Sequence, residues 1–520
     1  MLKHTELILT PEEAYGEGTL LAAIQRKLQV SSELQIRPLR RSIDARKRKV
    51  VVRVLVELIP RHEARENIPV AELYRCVHNS RSVIIVGAGP AGLFAALRLI
   101  ELGVKPVVLE RGKDVQSRRR DIAAINKAHI VNPESNYCFG EGGAGTYSDG
   151  KLYTRSKKRG DVNRILQMLV AHGAHQDILL DAHPHIGTNK LPGVVAQIRE
   201  RILSAGGEIH FNTKVTDFIV DGDRLMGVAT QAGDRMKAEA VLLATGHSAR
   251  DVYQLLYEKE ILIEPKPFAL GVRVEHAQSL IDQIQYHCAA RDPFLPASSY
   301  ALVDQVQVNG IPHGVFSFCM CPGGFIVPAA TAPGEIVVNG MSPSRRDSRF
   351  ANSGIVMTVD THAFKAFREH GPLAGMYFQA ALEQKAFQEG GKTQSAPAQR
   401  LVDFVEGRFS NQLLKTSYQP GLTTTRLDEL LPAFLSQGLK QGFKGFGKKM
   451  KGYFTNEAQV IGVESRTSSP VRIPRDNIRL EHPHLKRLFP CGEGAGYAGG
   501  IVSAAMDGMR CAEAITKLYL

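Results

Sequence analysis

One short stretch constrains the fold of this chain more than any other. Ser82-Val-Ile-Ile-Val86 has the pattern of a buried strand, and it runs into Gly87-Ala-Gly-Pro-Ala-Gly92 and then an apolar helical segment, residues 93–100. A second apolar strand follows and ends at Glu110. In such a unit the first glycine permits a tight turn, the second admits a pyrophosphate, and the third lets the helix lie close to the strand. The stretch therefore predicts a dinucleotide-binding unit, with the amino end of the helix toward phosphates and Glu110 toward ribose hydroxyls.

Later segments indicate which dinucleotide is bound. Glu110-Arg111, residues 206–215, residues 240–246 and residues 488–500 resemble, in that order, four elements of flavoproteins of the type with two dinucleotide-binding domains. The resemblance implies that Glu110-Arg111 lies at the adenosine ribose and that Val215 touches the adenine. It also implies that Glu493 meets the ribityl chain and that the helix after Gly500 points its amino end at the pyrimidine edge of the flavin. Four ordered motifs are more specific than one, and they predict FAD rather than NAD.

The resemblance extends to a narrower group. Residues 141–152, 244–251, 318–324 and 464–473 are similar to a bacterial family called FAD-dependent dehydrogenases, which carry a small extra domain in front of the flavin fold. The similarity covers essentially the whole chain. It implies an α/β protein with a glutathione-reductase-like FAD-binding Rossmann fold, an inserted α/β substrate domain and a small N-terminal α+β domain. The expected boundaries are 1–80, 81–260 (first part of the FAD domain), 261–452 (substrate domain) and 453–520 (return to the FAD domain).

Composition excludes several classes of protein. At 520 residues, 43% hydrophobic and 22% charged, the chain has the make-up of an ordinary soluble enzyme of two or three domains. The opening residues are polar, and the apolar run at 50–59 is broken by Arg53 and Glu57, so we expect no membrane span and a cytoplasmic location. Seven cysteines spread over the chain fit free thiols in a reducing compartment. The net charge of +13 is not concentrated in one arm, which favours anionic small molecules over nucleic acid.

Patterning outside the flavin motifs is weaker. The first 60 residues predict strand, helix, strand and strand, with the apolar run at 50–59 in the centre of a small sheet. This module is either a packing element, which we favour, or a docking element for a partner or substrate. Residues 37–49 are expected to form a basic connection, residues 113–161 a long functional loop, and the basic glycine-rich residues 442–452 a solvated loop. Residues 191–205 predict an amphipathic helix.

The polar, glycine-rich residues 141–151 form the best candidate for the segment against the flavin. By resemblance alone, we expect them to surround one cavity together with residues 318–324 and 494–500. Lys151 could supply positive charge beside a reduced flavin or a proton to a substrate, although a solvated lysine is the alternative. Of Arg118, Arg119 and Arg120, at most one or two can point inward, and we select Arg118 for the pyrophosphate.

Cysteine and histidine supply the remaining candidates. Cys319 and Cys321 are two residues apart on a predicted strand, so both thiols should face the same side, in a redox or substrate-contacting role or simply as buried small residues. His185, His247 and Arg466 lie in or near the family-like motifs and could act as acid, base or oxyanion contacts, although a histidine at a strand end is usually structural. Cys138 and Cys491 add no ligand spacing, and we expect no metal.

These observations lead to an FAD-dependent oxidoreductase, a dehydrogenase or reductase, acting on an unidentified small molecule through non-covalently bound FAD. The electron donor is either NAD(P)H or a protein, and no second glycine fingerprint marks an NAD(P) domain. The alternative is a flavoprotein that uses FAD structurally, in a non-redox reaction or in RNA modification. The candidate catalytic residues are Lys151, Cys321 and His185. The candidate cofactor-binding residues are Gly87, Gly89, Pro90, Ala91, Gly92, Glu110, Arg111, Arg118, Gly143, Gly145, Thr146, Val215, Thr245, Gly246, Gly492, Glu493, Gly499, Gly500 and Ile501.

Overall fold

The computed structural model describes residues 3–29, 33–47, 49–60, 70–154 and 160–520, so residues 155–159 of the predicted loop at 113–161 lie outside it. The described strands are β1 (Lys3–Leu9), β2 (Leu34–Asp44), β3 (Val51–Pro60), β4 (Ser82–Val86), β5 (Lys105–Leu109), β6 (Glu208–His210), β7 (Val215–Asp221), β8 (Arg224–Thr230), β9 (Arg235–Lys237), β10 (Val241–Leu243), β11 (Glu264–Pro265), β12 (Phe268–Ala277), β13 (Val303–Val308), β14 (Ile311–Cys321), β15 (Phe325–Pro328), β16 (Val338–Met341), β17 (Phe350–Val359), β18 (Ala396–Arg400), β19 (Leu422–Thr424), β20 (Gln459–Glu464), β21 (Val471–Arg472) and β22 (Leu488–Pro490). The described α-helices are α1 (Pro11–Tyr15), α2 (Thr19–Leu28), α3 (Pro90–Glu101), α4 (Arg118–Ala128), α5 (Val162–Ala171), α6 (Leu191–Ser204), α7 (Arg250–Glu258), α8 (Gln278–Tyr286), α9 (Ala374–Glu389), α10 (Leu401–Glu406), α11 (Leu427–Leu430), α12 (Ala433–Lys449) and α13 (Ile501–Tyr519).

The first sheet is small and antiparallel, with the order β1-β3-β2. Its central strand is β3, as the double-sided apolar run predicted, and Val52, Val54 and Val56 are fully buried in one cluster with Ile24 of α2. The expected connection at 37–49 is wrong over most of its length. Those residues continue β2 to Asp44, because the strand keeps pairing with β3 past a register shift after Pro38.

Arg41 of β2 joins this sheet to the rest of the protein. Its Nε donates to Asp181 Oδ1 at 2.8 Å, and its guanidinium lies 4.3 Å from the centroid of the Tyr15 ring. The backbone N–H of Arg41 donates to the carbonyl of Leu180 at 2.8 Å. This buried arginine therefore docks the N-terminal sheet onto the segment that leads to His185.

A five-stranded parallel sheet carries the motifs found in the sequence. Its order is β22-β10-β4-β5-β6, and every neighbouring pair is parallel. Because the carboxyl ends of parallel strands meet at one edge, the turns after β4, β5, β6, β10 and β22 come together there. The four motifs predicted for FAD thus lie at the same edge of one sheet.

The turn between β4 and α3 depends on two glycines. Gly87 has φ +106°, and a Cβ at this position would lie 2.5 Å from the carbonyl oxygen of Ala244. A Cβ on Gly92 would lie 2.0 Å from the carbonyl oxygen of Gly87. Side chains at either position would push α3 away from the sheet, so both roles predicted for these glycines are confirmed.

The largest sheet has seven strands in the order β13-β14-β17-β12-β20-β18-β19. Helix α12 packs on it through Leu439, Phe443 and Phe446, all fully buried. The solvated loop predicted at 442–452 is therefore wrong, because α12 continues to Lys449. A Cβ at Gly442 would lie 2.5 Å from Val315 Cγ1, so the glycine brings the helix close to the sheet.

The remaining described strands form three small sheets, β7-β8-β9, β15-β16 and β11-β21. The segment at 113–161 is less irregular than expected because α4 occupies its first part. The amphipathic helix predicted at 191–205 is confirmed as α6. Among the described residues, no helix combines the length and apolar character needed to cross a membrane.

Candidate active site

A cleft opens at the carboxyl edge of the parallel sheet. Its wall includes residues from all three segments expected around one cavity, among them Gly145, Phe318 and Gly499. The predicted site residues that line it are Gly87, Gly89, Pro90, Ala91, Glu110, Arg111, Gly143, Gly145, Lys151, Val215, Thr245, Gly246, Cys321, Gly492, Glu493, Gly499, Gly500 and Ile501. Gly92, Arg118, Thr146 and His185 are not part of the lining.

Two helices begin at the cleft. Gly89 caps the amino end of α3, with Pro90 in its first turn, and Gly500 caps the amino end of α13. The first-turn N–H groups of a helix lack helical partners and carry partial positive charge, so each end favours an anion or a hydrogen-bond acceptor. A Cβ added at Gly499 or Gly500 would meet nothing within 4 Å, which leaves the backbone there open to a ligand.

Glu110 organises the first of these ends. Its Oε2 accepts the N–H of Ala88 at 2.8 Å, and its Oε1 accepts the N–H groups of Gly112 and Gly140, both at 2.9 Å. A carboxylate has about four lone-pair positions, so these three bonds leave room for about one more donor. Glu110 therefore fixes three loops at the cleft and keeps the capacity to accept one hydroxyl.

Arg111 follows Glu110 on the cleft wall. Its guanidinium lies 4.6 Å from the centroid of the Phe139 ring and forms ion pairs with Asp251 and Glu134. These contacts hold the side chain in place on the cleft wall, which Val215 also lines.

Arg118 does not occupy the position predicted for it. Its side chain is fully buried, and its three nitrogens donate to the carbonyls of Asn136, Glu141 and Gly143 at 2.7, 2.9 and 3.0 Å. The guanidinium is used within the protein and does not reach the cleft. Arg118 instead shapes the loop whose residues 143–145 form the wall. Thr146 acts similarly, because its buried hydroxyl donates to the Glu141 carbonyl at 2.9 Å.

The second helix end is held by two carboxylates. Glu493 accepts a hydrogen bond from the N–H of Gly500 through Oε1, and Asp507 Oδ2 accepts one from the N–H of Gly492 at 2.8 Å. Asp507 is in turn paired with Arg475 at 2.6 Å. These contacts set the turn after β22 against the start of α13.

Asp507 also lies near Cys491 and Cys511, and these three buried side chains are close enough to suggest a metal site. However, Arg475 Nη1 lies 3.0 Å from Asp507 Oδ2 and 3.4 Å from Cys511 Sγ. A guanidinium already supplies the positive charge among these groups, so we assign no metal there.

Lys151 lies on the cleft wall with its side chain about one-third exposed. Its Nζ donates to the Met320 carbonyl and lies 3.9 Å from Asp149 Oδ2. Burial alone would raise the pKa of Asp149, but Arg346 and Lys151 bring it below its ordinary value. Lys151 is thus held by strand β14 and by a buried, ionised aspartate that itself pairs with Arg346 at 2.6 Å.

His185 lies behind Lys151, with which it forms an isolated β-bridge. Its Nε2 lies 3.1 Å from the Ser344 carbonyl oxygen, and burial lowers its pKa. The structure does not bring this histidine to the cleft, so it offers no catalytic contact there.

Cys319 and Cys321 both line the cleft, but not by simple strand alternation. The pairing of β14 with β17 shifts register between Phe318 and Cys321, and Cys319 adopts φ +45°. Cys319 is exposed, whereas Cys321 is buried and its thiol donates to the Cys319 carbonyl at 3.2 Å.

Other side chains on the cleft wall lie outside the candidate catalytic and cofactor-binding residues predicted from the sequence. His247 lines the cleft, and its Nδ1 is 2.9 Å from Ser248 Oγ. Arg466 lies on the wall, anchored by Glu383 and Glu335 at 2.7 and 2.8 Å. His247, Ser248 and Arg466 all stood in family-like motifs, whereas Cys138, which also lines the cleft, stood in none of them.

The residues present fit a flavin dinucleotide. The two helix ends provide hydrogen-bond donors, and the carboxylate of Glu110 provides an acceptor. The unfilled space at Gly499 and Gly500 lets a ligand approach the backbone in the same cleft. In addition, Thr245 Oγ1 is buried without a hydrogen-bond partner among the described residues, and Thr245 lies on the cleft wall. An unpaired buried hydroxyl costs free energy unless a bound group satisfies it.

Family models cover most of the chain. A model described as an FAD binding domain matches residues 80–242, and one described as FAD dependent oxidoreductase matches residues 190–334. A model described as "FAD-dependent protein, C-terminal domain-like" matches residues 267–467, and a domain of unknown function matches residues 1–59.

The chain is also similar to individual proteins. An uncharacterised protein of Clostridium beijerinckii is 44% identical over 438 residues, which is 84% of this chain and 81% of that protein. The thiamine thiazole synthase of Aeropyrum pernix is 29% identical over 187 residues, which is 33% of this chain and 57% of that enzyme.

Solved structures are more distant. A flavin-dependent brominase triple mutant shares 13% identity at a TM-score of 0.36, with 84% of this chain and 80% of that chain covered. A geranylgeranyl bacteriochlorophyll reductase-like protein of Thermoplasma acidophilum shares 14% identity at a TM-score of 0.33, with 84% and 79% covered. At such TM-scores neither structure carries an argument about this chain.

Proposed function

This chain belongs to a bacterial family of FAD-dependent oxidoreductases, and from that premise we propose that it is a dehydrogenase or reductase of a small molecule bound in the cleft. The observation that carries the proposal is the meeting of two helix amino ends and three polar wall segments in one cleft. FAD is the cofactor. We further propose that it is bound non-covalently in a glutathione-reductase-like fold, with the domain boundaries expected from the sequence and in the cytoplasm.

The proposed cofactor contacts follow the two helix ends. The amino end of α3 would bind the pyrophosphate, because its backbone is open there and no side chain of Gly89 intervenes. Glu110 would accept a hydroxyl of the adenosine ribose with its remaining lone pair, beside Val215 at the adenine. The amino end of α13 would face the pyrimidine edge of the flavin ring, with Glu493 near the ribityl chain.

When bound, FAD supplies the acceptor and donor of an electron pair, so the protein must supply orientation and proton handling. The cleft wall also carries Phe318 and Cys319 from the seven-stranded sheet and Asn339 from β16. Lys151 adds a positive charge at this wall, which suits an anionic or carbonyl-containing substrate. We therefore place the substrate between these residues and the flavin ring.

The experiment is anaerobic reduction of the purified protein by NADH, by NADPH and by a panel of metabolites, followed at the flavin absorbance band. Denaturation of a parallel sample should release free FAD, which tests non-covalent binding. Saturable bleaching by one donor identifies the substrate or its reductant. A protein that is reduced by dithionite, but by no donor in the panel and by no added protein partner, would contradict the proposed turnover.

A further inference from the structure

A bend near the end of β14 lies on the cleft wall. The pairing of β14 with β17 shifts register across Cys319 and Met320, and Cys319 has φ +45°. Two different cations bind the two successive backbone carbonyls of this bend. The Cys319 carbonyl oxygen lies 3.4 Å from Nη2 of the buried Arg273, and the Met320 carbonyl accepts a hydrogen bond from Lys151 Nζ. The bend therefore holds one cation in the interior and one on the cleft wall.

The positive charge of Lys151 is not matched by an acid. Among the described residues, Asp149 is the only acid with a carboxylate oxygen within 4 Å of Lys151 Nζ, at 3.9 Å. Arg346 already binds that carboxylate, through Nη2 at 2.6 Å and through Nε at 3.3 Å. His185 beside this pair is neutral near pH 7, because burial lowers its pKa. Lys151 thus keeps one positive charge and two of its three N–H groups for a ligand.

Asn339 of β16 provides a second donor on the same wall. Its Oδ1 accepts the N–H of Gly340 at 2.7 Å and lies 3.5 Å from Arg273 Nη2, which fixes the orientation of the amide. Within the part of the chain that the structure describes, no acceptor binds Nδ2. A Cβ at Gly340 would collide with Arg273 Nη1, so the glycine lets β16 lie on the arginine. Arg273 itself pairs with Glu464 at 2.7 Å, so its own charge is matched.

We propose that Lys151 Nζ and Asn339 Nδ2 form an anion subsite beside the bend of β14, and that the substrate carries a carboxylate that binds there. This inference rests on the proposed function. Lys151 binds one carbonyl of the bend directly, and Asn339 is connected to the preceding carbonyl through Arg273. A carboxylate has two oxygens, so it can accept a hydrogen bond from each side chain. One unmatched positive charge suits a monoanionic carboxylate better than a dianionic phosphate.

The probe for this subsite is acetate, and neutral acetamide of nearly the same shape is its control. Saturation-transfer difference NMR of the methyl group measures the binding of each ligand to the full-length, FAD-loaded protein at pH 7. Wild type is compared with Lys151→Met, Asn339→Asp and Lys237→Met. Asn339→Asp keeps the shape and the acceptor of the Gly340 N–H, but an oxygen replaces the donor. Lys237 is exposed on β9 and outside the cleft wall, so its variant controls for the loss of one surface charge.

Wild type and Lys237→Met should bind acetate saturably and acetamide much more weakly. Lys151→Met should bind acetate about ten- to a hundredfold more weakly, which is the effect of losing a charge-assisted hydrogen bond. Asn339→Asp should weaken acetate binding by at least about tenfold, because a donor is lost and the new carboxylate repels the anion. The FAD content should be the same in all four proteins.

Acetate binding that is absent in wild type, or unchanged in either Lys151→Met or Asn339→Asp, would overturn the inference. Loss of FAD from Lys151→Met alone would also overturn it, because the lysine would then hold the cofactor instead of the substrate. If acetate binds as expected but no donor reduces the flavin, the proposed turnover fails and the anion subsite stands. If Lys151→Met turns over an uncharged substrate with unchanged KM and kcat, the subsite fails and the proposed function stands.

Discussion

Gly508 of α13 packs directly on Ala91 of α3. A Cβ at position 508 would lie 2.0 Å from the carbonyl oxygen of Ala91, so the two helices touch backbone to backbone. Ala91 lies in the first turn of α3, whereas Gly508 lies about two turns into α13. The contact sets the two positive ends at one cleft, which neither motif could achieve alone.

Gly508→Ala should therefore separate the two helices. We expect a loss of about 1–3 kcal/mol in the free energy of unfolding, because an extra methyl group has no space, together with weaker FAD binding. Gly193→Ala in α6 is the matched control, since its Cβ would meet nothing within 4 Å. That control should be neutral or stabilising by up to about 1 kcal/mol. Urea unfolding and FAD titration measure both effects, and equal behaviour of the two variants would contradict the packing argument.

Substitution of two glycines in the same motif should have different effects on folding and on FAD binding. A Cβ at Gly89 would come no closer than 4.0 Å to its nearest neighbour, the Cα of Gly143. Gly89→Val should fold and lose FAD, since its side chain fills the space where the pyrophosphate would approach. Gly92→Val should unfold the domain, because its Cβ would collide with the Gly87 carbonyl. Circular dichroism and FAD content distinguish the two, and a Gly89→Val protein that retains FAD would refute the phosphate assignment.

Glu110→Ala removes the acceptor of three backbone N–H bonds as well as the proposed ribose contact. A charge-assisted hydrogen bond contributes about 1.5–3 kcal/mol, so FAD affinity should fall about ten- to a hundredfold. Thermal stability of the FAD-free protein should fall too, because the loops at Ala88, Gly112 and Gly140 lose their common acceptor. Flavin content after dialysis of dilute protein measures the first effect, and an unchanged content would rule out the assignment.

Glu383 should contribute an acid-sensitive part of the stability. Burial raises its pKa, but the stronger effect of Arg250 and Arg466 lowers it to about 2 from an ordinary value of 4.5. Because the folded pKa is depressed, this stabilisation is full above pH 4.5 and is lost as the pH falls toward 2.

Glu383→Gln should accordingly be less stable than wild type at pH 7. The difference in the free energy of unfolding between the two proteins should become smaller below pH 4.5. Glu335 shares the two arginines, but its pKa is raised. Its contribution to the stability therefore changes with pH in the opposite direction. The difference in stability is measured from the midpoints of urea unfolding at a series of pH values. Glu369→Gln, at an exposed position, is the control. A gap that stays constant with pH would show that Glu383 is not the titrating group.

NAD(P)H should reduce the flavin slowly or not at all without a further partner, because no second glycine fingerprint stands in the chain. If a nicotinamide binds, we expect it in the cleft itself, whose wall includes Lys151 and Phe318. Stopped-flow bleaching of the flavin band decides the matter. Saturable reduction at catalytic rates, on the order of 1–10³ per second, would make the protein a nicotinamide-driven reductase.

The wrong predictions for residues 442–452 and for Arg118 have the same cause. Residues 442–452 looked like a flexible loop because glycine is a poor helix former, yet Gly442 serves close packing on Val315. Arg118 looked free to bind phosphate, yet three carbonyls from residues up to 25 positions away surround it. The residue type indicates only a local conformational preference. Whether the residue is buried depends on the distant parts of the chain that pack against it.

The sequence by itself determined the β4–α3 turn, the order of the FAD motifs and the central place of β3. These features depend on steric contacts between neighbouring residues and on short apolar patterns. A segment of a few residues is enough to predict them. Only the tertiary structure decided that Cys138 meets Ser248 across 110 residues, that His185 lies outside the cleft, and that α3 touches α13. Those contacts follow from the packing of whole sheets and helices, and no local pattern records which distant side chains that packing brings together.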